Sequence, residues 1–128
     1  MNSSYYYNLM QQIQSSKNIV IGKKETYEAY LEKLKSLKNT LEPLPSDFLR
    51  VENCYENGGY FASGETLSKG MLKDKANTLS EHIDSIVFFI RIVVNKINEY
   101  DYQIMKLNSD YSDAATNYQK ALIESGSK

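Results

Sequence analysis

Residues 72–123 read LKDKANTLSEHIDSIVFFIRIVVNKINEYDYQIMKLNSDYSDAATNYQKALI, and their spacing decides the fold. From Leu72, the positions Ala76, Leu79, Ile83, Ile86, Ile90, Val93, Ile97, Tyr100, Ile104, Leu107, Tyr111, Ala114, Tyr118 and Ala121 recur at alternating intervals of four and three. Side chains so spaced line one stripe of an α-helix. One continuous helix over about 66–123 is therefore predicted. At 1.5 Å per residue it would run to roughly 85 Å, far longer than the helices of a compact globule, so it needs a second helix along its stripe.

The first third of the chain supplies that helix, predicted over about 4–42. Tyr6, Leu9, Ile13, Val20, Tyr27, Tyr30, Leu34, Leu37, Leu41 and Leu44 follow the same rhythm, with Ser16 and Lys23 in two inward slots. The segment SSKNIVIGKK (15–24) carries a β-branched run and Gly22, both poor helix formers, which favours a kink or local break near 16–23. Pro43 and Pro45 stop the helix, because proline lacks the amide donor and restricts the residue before it.

Between the two long segments, PSDFLRVENCYENGG (45–59) predicts a short helix at about 46–57. Ser46 or Asp47 would cap its start, Phe48, Val51 and Tyr55 would share one face, and Gly58 would end it in a left-handed cap. A glycine and aromatic elbow follows at 58–65, where Gly58, Gly59 and Gly64 permit a sharp turn and Tyr55, Tyr60 and Phe61 plug the open end. These pieces predict a single all-α domain over 1–128, an elongated, coiled-coil-like antiparallel helical hairpin with a short helical elbow. If residue 42 faces residue 67, residue 5 lies opposite about residue 104. The stripe Tyr111, Ala114, Tyr118 and Ala121 then overhangs as a second candidate partner surface.

Composition narrows the function. A net charge of -1 does not support nucleic-acid binding, and the local balance is positive over 1–41, negative over 42–66 and even over 67–128. The single cysteine, Cys54, forms no internal disulfide and has no CxxC or Cys/His companion for zinc. His82, the only histidine, stands outside any motif beside the stripe, and Glu81, Asp84, Asp110 and Asp113 are spaced as ordinary solvated helix faces. NGGYFASG (57–64) matches neither a Walker loop nor GxGxxG. No catalytic, cofactor or metal site is predicted, and the chain reads as a non-enzyme. MNSSYYYNLMQQ (1–12) lacks the basic and apolar regions of a Sec signal, and SIVFFIRIVVNKI (85–97) is interrupted by Arg91 and too short to span a bilayer.

What remains is surplus apolar surface. The hairpin seam accounts for Ile86, Ile90 and Val93, whereas Val87, Phe88, Phe89, Ile92 and Val94 point elsewhere around the helix. The short helix spans only about 18 Å and residue 90 lies roughly 36 Å along the rod from residue 66. Contact with a helical protein, either a second copy or a different chain, is therefore favoured over intramolecular cover.

A helical hairpin without a Sec signal, with NGGYF at its elbow, resembles the WXG-type small proteins of type VII secretion, and especially the α-helical proteins associated with LXG toxins in Gram-positive bacteria. The place of the Trp-x-Gly turn is taken by Gly58, Gly59, Tyr60 and Phe61. The C-terminal export signal of an aromatic followed four residues later by an acid is missing, since Tyr100, Tyr102, Tyr111 and Tyr118 are followed there by Ile104, Lys106, Ala115 and Leu122. The resemblance implies a cytoplasmic partner or targeting factor, itself exported or not. It would bind the helical N-terminal region of an LXG-type toxin or a second small helical protein, the partner supplying the export motif. The alternatives are a structural coiled coil or a cytosolic export chaperone outside type VII secretion.

Overall fold

A computed structural model of the chain describes residues 3–56 and 70–126. Its elements are three α-helices, α1 (Ser3–Leu41), α2 (Leu44–Glu56) and α3 (Met71–Gly126), and among the described residues there is no strand. The helix after the elbow thus runs three residues beyond the expected end.

On α3 the stripe holds at every position. Each residue from Leu72 and Ala76 to Tyr118 and Ala121 is buried or half-buried, and nearly all between them are exposed. On α1 the expected Tyr6, Leu9, Ile13, Val20, Tyr27, Leu34 and Leu41 are half-buried, and the seam departs from the expected one between them. It runs Ser3, Tyr6, Met10, Ile13, Lys17, Val20, Lys24, Tyr27, Leu31, Leu34, Lys38 and Leu41, while Ser16, Lys23, Tyr30 and Leu37 are exposed. The reason is the dual character of lysine, whose aliphatic stem covers apolar surface while the ammonium reaches water. A count of apolar residue types passes over Lys17, Lys24 and Lys38 and slips by one position around them. α1 is also one helix through 16–23. Thr26 Oγ1 donates to the Gly22 carbonyl at 3.1 Å within it.

α2 begins earlier than expected, at Leu44, so Ser46 and Asp47 lie inside the helix instead of capping it. Pro45 fits the first turn, where no amide donor is needed and a fixed φ suits the helix. The turn between α1 and α2 is correspondingly tight, with Glu42 N donating to Lys38 O at 2.8 Å and Asp47 N to Pro43 O at 3.2 Å.

The chain divides into two compact units, Met1–Ala29 with Val93–Lys128, and Tyr30–Ile92. In the first, Tyr7 meets Tyr118 with ring centroids 6.1 Å apart, Lys24 Nζ meets Asp101 Oδ1 at 2.6 Å, and Tyr27 meets Tyr100 at 5.6 Å. Numbers rise on α1 as they fall on α3. The expected register would set Tyr7 near Tyr102; its partner lies about four turns further along α3. The overhang is therefore absent, and Ala114 and Ala121 belong to the buried core with Val93 and Tyr100. Lys96 lies over the Tyr100 ring at 5.1 Å while donating to Glu99 at 3.2 Å.

In the second unit the side chain that joins α2 to α3 is a carboxylate. Glu52 is 3% exposed; its Oε1 accepts from Gly70 N at 2.5 Å and its Oε2 from Leu72 N at 3.3 Å. These amides open α3, where the helix leaves donors without internal partners and favours negative charge. Gly70 holds φ at 83°, a left-handed conformation that a side chain disfavours. The start of α3 thus meets α2 through Glu52, a contact that the register expected from a direct elbow did not include. Ala76, one turn on from Leu72, is buried.

Candidate partner-binding face

The seam of α3 takes up Ile83, Ile86 and Ile90, each half-buried, and leaves a second set of apolar side chains in water. Phe88 is 55% exposed, Phe89 54% and Ile92 47%. The two phenylalanine rings contact each other edge to face, with centroids 6.2 Å apart and planes at 61°. Phe88 and Ile92, four apart, lie one above the other on the side away from the seam, and Phe89, three before Ile92, lies beside them.

Val87 and Val94 do not join this group. A step of 100° per residue carries both to the opposite flank of the seam, and Val94 belongs to the other compact unit. Val87 is half-buried and Val94 exposed. The five residues expected to form one face therefore resolve into a contiguous trio, Phe88, Phe89 and Ile92, and two valines elsewhere.

The second candidate surface is occupied from within. Ala114 is 2% exposed and Ala121 is also buried, Tyr111 and Tyr118 are half-buried, and the Tyr118 ring lies against Tyr7. Of the elbow set, Gly58, Gly59, Tyr60, Phe61 and Gly64, with the side chains of Tyr55 and Cys54, lie outside the described residues. On the short helix Phe48 is half-buried but Val51 is exposed, and the inward position beside Phe48 is Glu52.

His82, Glu81, Asp84, Asp110 and Asp113 are all exposed. Among the described residues no three His, Cys, Asp or Glu side chains gather as a metal site, and no helix is long and apolar enough to cross a membrane. Across α1 and α3, Lys24 forms an ion pair with Asp101. The hydrogen bond to Asp101 holds the Lys24 ammonium above its ordinary pKa of 10.5, against the opposing effect of burial and with help from the charges of Asp101 and Glu28.

Sequence reasoning missed two residues, Glu52 and Gly70. The signal for Glu52 was its position four after Phe48 and three before Tyr55, on the inward stripe of α2. Compared with known protein families, curated proteins and solved structures, the chain matches none.

Proposed function

We propose that this chain is a non-enzymatic helical adaptor that binds a helix of another protein through Phe88, Phe89 and Ile92. Its frame is an antiparallel pairing of α1 with α3, a reading supported within one compact unit by the pairs Tyr7 with Tyr118 and Lys24 with Asp101. The observation that carries the function is the exposure of two adjacent phenylalanines and an isoleucine one turn away on a polar helix surface. Completing their burial is worth about 1 to 2 kcal/mol for each phenylalanine, which is the size of a central anchor in a helix-in-groove interface.

The partner class follows from the resemblance to the α-helical proteins associated with LXG toxins. The partner is the helical N-terminal region of an LXG-type toxin or a second small helical protein of a type VII system, and it carries the export motif that this chain lacks. A structural coiled coil that extends through the α3 seam is less well supported, because Val93, Tyr100, Ala114 and Ala121 are already buried within one chain. Co-expression with an LXG toxin's N-terminal region and with the products of adjacent genes tests the proposal. A stoichiometric complex supports it, and monodisperse chain free of each of them contradicts it.

A further inference from the structure

We propose that α2 is a detachable strap, held against the start of α3 by the negative charge of Glu52. This inference is independent of the Phe88 face. Among the described side chains of α2 none that is apolar is buried: Leu49 and Val51 are exposed, Leu44 and Phe48 are half-covered, and Glu52 is buried. Both carboxylate oxygens of Glu52 are used, on the amides of Gly70 and Leu72. Gly70 adopts its left-handed conformation at the same point, with open space where a Cβ would stand.

Among the described residues the hydrogen bonds from α2 to α3 are these charged ones, so local opening of α2 depends on them. The ionised carboxylate offers an acceptor to each amide. A neutral amide side chain of the same shape offers one acceptor and turns an NH2 donor toward the other N–H, so one buried donor loses its partner. Release of α2 frees the Gly70 and Leu72 amides that open α3, leaving the segments that pair Tyr7 with Tyr118 and Tyr27 with Tyr100 untouched.

The test is hydrogen exchange of the full chain, wild type against Glu52→Gln, read peptide by peptide. The strap predicts exchange at least about tenfold faster in both 44–56 and 70–76, with 97–118 unchanged, as loss of a hydrogen bond to a buried charge implies. Three results overturn it. Unchanged α2 exchange shows that the charge does not hold the strap. Acceleration confined to 70–72 reduces Glu52 to a helix cap, and equal acceleration throughout makes it a support of the whole fold.

Discussion

Tyr7, in the second turn of α1, lies against Tyr118, near the end of α3, with centroids 6.1 Å apart and planes at 47°. The last turns of α3 therefore serve as the partner of the first turns of α1. Deleting the chain after Leu107 should cost more helix than the residues removed, because the start of α1 loses the surface that holds it and an isolated helical end is marginal in water. Circular dichroism checks this. A helicity loss equal to the deleted residues alone would restore the overhanging stripe.

A milder version separates the aromatic contact from the helix itself. Tyr118→Ala should lower stability by about 1 to 3 kcal/mol, the cost of removing a half-buried aromatic with its ring contact, while α3 stays helical. Chemical denaturation with an unchanged slope is the measurement.

Lys24 and Asp101 link α1 to α3 at 2.6 Å. Because folding raises the pKa of Lys24, the pair's contribution is fully present below the ordinary lysine value of 10.5 and disappears as pH rises through the higher folded-state value. Lys24→Met keeps the stem and removes the charge. The stability difference between wild type and this variant should be constant through neutral pH and shrink above about 10.5, whereas tyrosine ionisation, common to both proteins, cancels.

Two glycines should respond in opposite directions. Gly70→Ala forces a side chain into a left-handed backbone and should cost about 1 kcal/mol, even though nothing stands where the Cβ goes. Gly22→Ala, within continuous α1 and equally unobstructed, should raise stability by about 0.5 to 1 kcal/mol. Thermal melts of the two variants decide both.

The helices were legible because a 3,4 rhythm is local and survives any tertiary arrangement; every stripe position named on α3 is covered. What was not legible depends on residues whose chemistry serves two purposes. Lys17, Lys24 and Lys38 pack as aliphatic stems, so the seam of α1 could not be read from hydrophobicity alone. Glu52 is a charge on an inward stripe, and its meaning lies in amides of Gly70 and Leu72, distant in sequence. Register failed for the same reason: no local pattern announces that the start of α3 will meet α2. The exposed trio was only half legible, since the surplus of apolar residues is plain in SIVFFIRIVV but its division around the helix needs the angles.

The central claim, that Phe88 and Phe89 anchor a partner helix, is tested most directly by the double variant Phe88→Ser, Phe89→Ser. Both rings are more than half exposed, so the seam at Ile83, Ile86 and Ile90 should survive the change. Size-exclusion chromatography with light scattering, alone and with the co-expressed LXG-type N-terminal region, should show the assembly of the wild type lost, while circular dichroism shows its helicity retained. Assembly undiminished in the variant, or loss of helix along with assembly, would contradict the claim.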